Sequence, residues 1–142
     1  MSIWRPPSII WFERIAYLSL ALSTVITFIA YEEMRAAPLD PRHAVPGRVI
    51  VFLIITLAVY LPLIWLAARR ANNAARWILA VLLAISYAGL LNVPAMLDYG
   101  GPAVLLALAQ FPLTAILIWL LFRADSRRWF AGHRPVDPRI FR

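Results

Sequence analysis

The sequence predicts an all-α membrane protein with four transmembrane helices in an up-down bundle and both termini in the cytoplasm. Three observations lead to this fold class. Of the 142 residues, 63% are hydrophobic and 15% are charged, which is more apolar surface than a water-soluble domain of this size can bury. Four apolar stretches each have about the 20 residues that a helix needs to cross a bilayer. Arginine, finally, is concentrated in alternate connections between these stretches.

The first two expected spans lie in the N-terminal half of the chain. Span one covers 8–31, and its uninterrupted apolar part follows the charged pair Glu13 and Arg14. A cleaved signal peptide is the competing interpretation, but the stretch is long and has no A-x-A-like cleavage site at its end. Span two covers 49–68 and contains no charged residue. The segment 32–48 between them holds three prolines, so we expect an extended loop with solvated charges.

The third and fourth expected spans, 77–97 and 102–122, form a tight antiparallel hairpin. Gly100 and Gly101 interrupt the preceding helix. Pro102 suits the first turn of the next one, where its missing N–H costs nothing.

After the fourth span the charged sequence continues the helix through Trp129 and Phe130. We therefore expect one transmembrane domain over 1–130. A cytoplasmic tail over 131–142 follows, and its glycine and prolines leave disorder open there.

Charge and aromatic residues give the orientation in the membrane. Eleven of the 14 arginines lie in the N-terminal segment, the second connection or the C-terminal segment, and positive residues in short loops stay on the cytoplasmic side. All six tryptophans fall in the same half of this topology, where indole rings anchor at head-group depth. The expected lipid head-group anchors are Trp11, Trp65, Trp77, Trp119, Trp129, Arg123, Arg127 and Arg128.

Several function classes are excluded by composition. The absence of cysteine removes disulfides, thiolate metal sites, iron–sulfur clusters and thiol redox chemistry. His43 and His133 both lie in polar segments, so no span offers an axial ligand for haem. The net charge of +7 is explained by topology and anionic lipids rather than by nucleic acid. Because no catalytic, cofactor or metal-ligand pattern is present, we expect no enzyme, no cofactor and no metal site.

Polar residues recur near the predicted midplane of every span, and in three spans the pair has i, i+4 spacing, which places both residues on one helix face. One interpretation is a polar path or ligand cavity between the helices; the other is interhelical hydrogen bonding. No ionisable residue accompanies them, which disfavours proton-coupled transport. The candidate midplane residues are Ser23, Thr56, Tyr60, Tyr87, Gln110 and Thr114, with Ser19 and Ser86 beside them.

Glu13 is the carboxylate that stands out, because it lies in the first turn of the first helix, where the helix dipole favours negative charge. In a deeper position it would be a proton or cation site. The alternative is an interfacial ion pair with Arg14 or with the connection that carries Arg69, Arg70 and Arg76.

Three segments of the chain resemble the conserved-hypothetical four-helix inner-membrane proteins of Gram-negative bacteria. They are 5–14 (RPPSIIWFER), 69–78 (RRANNAARWI) and 121–130 (LFRADSRRWF). The resemblance implies a multi-pass protein of the bacterial inner membrane. Those proteins have no assigned activity, so no functional residue carries over.

The function that we expect is that of a structural or accessory subunit, either in a larger membrane complex or in a homo-oligomer. Alanines at four-residue spacing on the third span, Ala80, Ala84 and Ala88, suit close helix contact. The expected partners are membrane lipids and other membrane subunits or a second copy of the chain, and no nucleic acid. The alternative is a small channel or facilitator that uses the midplane polar residues.

Overall fold

The computed structural model describes residues 5–36, 46–90 and 101–131. All regular secondary structure in these ranges is helical, which confirms the all-α prediction. The helices are α1 (Pro7–Ala36), α2 (Pro46–Arg70), α3 (Asn73–Leu90), α4 (Pro102–Phe122) and α5 (Ala124–Phe130).

Three of the described helices are long and apolar enough to cross a membrane. Their candidate spans are Pro7–Glu33, Gly47–Arg70 and Pro102–Phe122. In α3 the apolar part, Asn73–Ala88, is shorter. The chain therefore has the character of a multi-pass membrane protein.

Helix α1 continues through Ala36, five residues beyond the expected end of the first span. The expectation of an extended loop from residue 32 is therefore wrong for Glu32 and Glu33, which lie on the helix. Glutamate, methionine, arginine and alanine at this point are all good helix formers. At the other side of this connection α2 begins at Pro46, because proline is tolerated in a first turn.

A two-residue turn joins α2 to α3. Ala71 has a positive φ of 50°, the left-handed conformation that often ends a helix. Asn72 then caps α3, because its side-chain Oδ1 accepts the N–H of Ala75 at 3.1 Å, as N-cap residues do. Helix α3 thus begins at Asn73, four residues before the expected third span.

Helices α1 to α4 pack side by side. α1 contacts both α2 and α4, and α3 also contacts both α2 and α4. Hydrogen bonds join the start of α1 to the end of α2 (Glu13–Arg69) and the end of α1 to the start of α4 (Glu33–Ala103), so α1 runs antiparallel to both helices.

The expected continuation of α4 through Trp129 is wrong, because the backbone of Arg123 is extended (φ −60°, ψ 153°) and separates α4 from α5. α5 packs against α4 and α1. Ser126 fixes it there: its hydroxyl donates to the Leu120 carbonyl at 2.6 Å and lies 2.9 Å from the Ser8 hydroxyl.

The core is concentrated at one end of the molecule, which we call the basic end. It consists of the first turns of α1, the α2–α3 turn and the α4–α5 junction. The buried apolar side chains of this cluster are Ile9, Phe12, Ala16, Leu20, Ile64, Ala67, Ala68, Ala75, Leu79, Ala80, Leu83, Leu117, Leu120, Leu121, Trp129 and Phe130. In the remaining described parts of the four helices, Leu53 and Ala103 are the buried apolar residues. The helices are therefore tightly packed at the basic end and loosely packed at the opposite end.

Several predictions concern residues outside the described ranges. They are the loop over 37–45 with His43, the end of the third span at 91–97, the helix break at Gly100, and the tail beyond Ala131 with His133.

Candidate functional site

A cavity of about 350 Å³ lies between α1, α2, α3 and α4. All the residues that line it are uncharged. Its size is at the lower end of the range of about 300–1,000 Å³ that is typical of small-molecule sites. The polar lining residues are Ser19, Ser23, Thr27, Thr56, Tyr60, Ser86, Gln110 and Thr114.

The structure brings five of the six candidate midplane residues into this one cavity, although they come from three helices. Tyr87 is the exception: its ring packs edge-on against Phe111, with ring centroids 5.2 Å apart. Tyr87 follows Ser86 directly, and consecutive helical residues point about 100° apart. Among the described residues Ser86 lines the cavity and Tyr87 does not.

Gln110 is the central polar group of the cavity. Its side-chain Nε2 donates to both the carbonyl and the hydroxyl oxygen of Ser19, each at 3.2 Å. Its Oε1 is buried and accepts no hydrogen bond. A buried carbonyl oxygen without a donor costs about 1–3 kcal/mol. The atom is closed off from solvent in this arrangement, so the side chain must turn before the oxygen can accept a hydrogen bond from a molecule in the cavity.

Some of the hydroxyl groups around Gln110 already form hydrogen bonds within the protein. Thr27 donates to the carbonyl of Ser23 at 2.8 Å, within its own helix, a common arrangement for threonine. The hydroxyls of Tyr60 and Ser86 lie 3.2 Å apart and link α2 to α3. The described lining thus offers hydroxyl and amide groups and no charge, which suits a neutral molecule that forms hydrogen bonds.

The cavity is blind at the basic end. There its floor is made of Phe12, Ile64, Leu79 and Leu117, all of them at most 2% exposed. Toward the opposite end the lining includes Phe52, which is 58% exposed. The described residues therefore form a pocket that is plugged on one side rather than an open pore.

A second cluster of polar groups surrounds Glu13 at the basic end. Glu13 itself is 8% exposed. Arg5 on the segment before α1 donates from Nη1 to Glu13 Oε2. Arg69 at the end of α2 donates from Nε to Oε1 at 2.8 Å. The carboxylate thus ties the N-terminal segment, α1 and α2 together.

The expected ion pair of Glu13 with the connection after α2 is confirmed at Arg69, but the expected participation of Arg14, Arg70 and Arg76 is wrong. Arg14 directly follows Glu13 and so points to another face of α1; its guanidinium lies 5.8 Å from the Trp11 ring centroid. Arg70 likewise follows Arg69 and lies 5.1 Å from the Trp65 ring centroid. Arg76 faces aromatic rings as well, as described below.

Exposed tryptophans surround the basic end, each with an arginine above its ring. Trp11, Trp65, Trp77 and Trp119 are 42% to 58% exposed. Four arginine–tryptophan contacts with centroid distances of 5.0–5.8 Å join the pairs Arg14–Trp11, Arg70–Trp65, Arg76–Trp77 and Arg123–Trp119. Arginine on an indole face gives a cation–π attraction.

Trp129 does not belong to this set, so its expected role as a surface anchor is wrong. The residue is 7% exposed, and its indole Nε1 has no hydrogen-bond partner. The buried residues of α5 are Ser126, Trp129 and Phe130. They lie at positions i, i+3 and i+4, so they share one helix face, and that face packs on the core. Arg127 and Arg128 remain exposed on this helix.

At the opposite end Glu33 caps α4. Its Oε1 accepts the N–H of Ala103 at 3.1 Å, where the positive end of the helix dipole favours a carboxylate. A Cβ atom on Gly101 would meet the Glu33 carboxylate at 2.8 Å, so the close approach depends on this glycine. Sequence reasoning missed this contact. The Gly–Pro start of α4 signals a helix N-terminus, but not which carboxylate reaches it.

Among the described residues, no group of three or more histidine, aspartate or glutamate side chains could hold a metal ion. Comparison of the chain with known protein families, with curated proteins and with solved structures gives no match. The resemblance to bacterial inner-membrane proteins therefore stays a prediction. The cavity and the basic end are the two features from which a function can be argued.

Proposed function

We propose that the chain is a four-span membrane protein whose cavity binds a small neutral molecule and facilitates its passage across a bacterial inner membrane. The observation that carries the proposal is the cavity itself, whose described lining is polar but uncharged around the Gln110 side chain. Such a site accepts a hydrogen bond from a hydroxyl or amide group and offers a charged species no counter-charge. The proposed reaction is binding and release, without covalent chemistry.

Four spans require α3 to cross the membrane together with α1, α2 and α4. The support is its position: it contacts both α2 and α4, and its outer residues Trp77, Val81 and Ile85 are all at least 54% exposed. For large apolar side chains that face outward, contact with lipid is favourable and contact with water is unfavourable. The α3 stretch described so far is short for a span, so it would lie with little tilt or continue beyond Leu90.

Passage requires the plug at the basic end to open. In the described arrangement Phe12 and Leu117 close the cavity there, so the proposal includes a second arrangement in which these side chains move apart. A permanently water-filled pore is not part of the proposal. We therefore expect no ion conductance.

The test is flux of a small neutral solute through the reconstituted full chain. Proteoliposomes are exposed to a glycerol gradient, and stopped-flow light scattering follows the volume recovery. We expect the wild type to exceed protein-free liposomes and Gln110→Leu to lose most of that excess. Tyr87→Phe is the matched control, because it changes a polar midplane residue that does not line the cavity, and it should retain wild-type flux. Equal rates for wild-type and protein-free liposomes, with urea as well as glycerol, would argue against a facilitator.

A second proposal is a packing subunit of a larger membrane complex or homo-oligomer. It is supported by α3, where Ala80 is buried but Ala84 and Ala88, on the same stripe, are exposed and leave a narrow, smooth surface for another helix. Native purification in nanodiscs followed by mass spectrometry tests it. A stoichiometric partner that is lost in Ala84→Leu but kept in Leu105→Ala, at another exposed position, would support this function.

A further inference from the structure

Arg76 is a buried cation at the basic end, since the whole residue is 8% exposed. The guanidinium carbon lies 4.5 Å from the ring centroid of Phe122 and 5.1 Å from that of Phe130, so the group is enclosed by two apolar rings. Its Nε has no hydrogen-bond partner. Burial of a charged group is costly unless it is paired and hydrogen-bonded.

A second guanidinium meets Arg76 at the same place. The Nε of Arg127 donates to the carbonyl oxygen of Phe122 at 3.0 Å, while Arg76 lies over the ring of that residue. Both guanidinium groups thus contact the same residue, Phe122. No described carboxylate forms an ion pair with either arginine.

The described carboxylates form their ion pairs with other arginines. Glu13 is held by Arg5 and Arg69. Asp125 pairs with Arg123 at 3.6 Å, although its buried Oδ1 accepts no described hydrogen bond. Glu32 and Glu33 are on the last turns of α1, at the opposite end of the molecule. The Arg76–Arg127 pair therefore carries an uncompensated double positive charge among the described residues.

We propose that Arg76 and Arg127 bind the phosphate group of an anionic ligand at the junction of α4 and α5. Phosphate offers several acceptor oxygens and matches the planar donor geometry of guanidinium groups. The site lies where the spans of α2 and α4 end, which is the depth of lipid phosphates in a bilayer. The phosphate is that of an anionic lipid head group or of a soluble phosphorylated molecule.

The test uses the purified full chain in a neutral maltoside detergent, and the probes are phosphatidylglycerol, phosphatidylcholine and inorganic phosphate. Native mass spectrometry measures retained lipid, and thermal unfolding measures stabilisation by each probe. The variants are Arg127→Gln, on an exposed residue whose replacement leaves the core intact, and Arg76→Gln. Arg128→Gln is the matched control, because it removes an exposed neighbouring charge on the same helix.

We expect the wild type to retain phosphatidylglycerol in preference to phosphatidylcholine. Arg127→Gln and Arg76→Gln should each weaken retention about tenfold or more, as loss of a charge-assisted hydrogen bond does. Arg128→Gln should stay within about twofold of wild type. If inorganic phosphate stabilises the wild type equally well and the same two variants abolish this, the ligand is a soluble phosphate compound, and the site still stands.

Two results would overturn the proposal. One is that Arg127→Gln and Arg128→Gln behave alike toward every probe. The other is that Asp137→Asn alone raises phosphatidylglycerol retention in the wild-type background, since that carboxylate would then be the natural counter-charge of the arginines. Neither result depends on the flux assay, so this site and the midplane cavity fail or stand separately.

Discussion

At the scale of single residues, the polar groups of this chain act where helices meet. Glu13 joins the N-terminal segment to α2 through Arg5 and Arg69. Ser126 joins α5 to α1 through Ser8. Gln110 joins α4 to α1 through Ser19. Each link replaces the hydrophobic driving force that helices lack when lipid surrounds them.

Replacement of Glu13 by glutamine tests the strongest of these links. The change leaves Arg5 and Arg69 facing each other without a counter-charge, so the free energy of unfolding should fall by about 1–3 kcal/mol. Unfolding in mixed micelles with increasing dodecyl sulfate measures it. Glu32→Gln is the control, because its carboxylate is exposed and 4.0 Å from Arg35; such a surface pair contributes at most about 1 kcal/mol. Equal losses in both variants would contradict a special role for Glu13.

The sequence predicts which residues are polar within the spans, but only partly which of them meet. The i, i+4 spacing places Gln110 and Thr114 on one face, and the structure has both in the cavity. The partners of Glu13 could not be chosen in the same way. Arg69 and Arg70 differ by one position, and helix rotation, which the sequence does not fix to within 100°, decides between them.

At the scale of helices, hydropathy locates α1, α2 and α4 well, because each has an apolar stretch of membrane-spanning length. The ends of the helices are less predictable, since polar residues continue α1 to Ala36 and the caps lie outside the apolar stretch. The α2–α3 turn shows why: Ala71 adopts a left-handed conformation that sequence rules assign to glycine or asparagine. The break at Arg123 had no such signal, as the residues around it favour helix.

Replacement of Asn72 by alanine tests the cap of α3. It removes the acceptor for the Ala75 N–H, and the loss of an N-cap costs about 1 kcal/mol. Asn73→Ala is the matched control: the same chemical change one residue later removes no described hydrogen bond and should be neutral or slightly stabilising, since alanine is the better helix former. The midpoint of thermal unfolding in detergent distinguishes the two. A larger loss for Asn73→Ala would show that the cap does not set the start of α3.

At the scale of the whole molecule, the two ends differ in charge and in packing. The basic end gathers the arginine–tryptophan pairs and nearly all of the buried apolar residues. The opposite end carries Glu32 and Glu33. Arginine at one membrane face predicts that this face is cytoplasmic, and we propose this orientation for both termini.

Cysteine labelling tests the orientation cleanly, because the chain has no cysteine of its own. Single Arg128→Cys and Glu32→Cys variants are exposed to a membrane-impermeant maleimide on intact spheroplasts and after lysis. We expect Glu32→Cys to label from outside and Arg128→Cys to label only after lysis. The reverse pattern would show the opposite orientation. Labelling of both variants from outside would rule out an odd number of membrane crossings between Glu32 and Arg128.

Because the buried residues are concentrated at the basic end, each helix can tilt about that end. From Leu20 to Glu33, helix α1 extends about 20 Å at 1.5 Å per residue. A tilt of about 5° therefore displaces its far end by nearly 2 Å. Helices adjust tilt when the surrounding bilayer becomes thinner or thicker. We therefore expect membrane thickness to change the width of the cavity mouth, and we expect the proposed neutral ligand to be held more loosely in short-chain than in long-chain lipids.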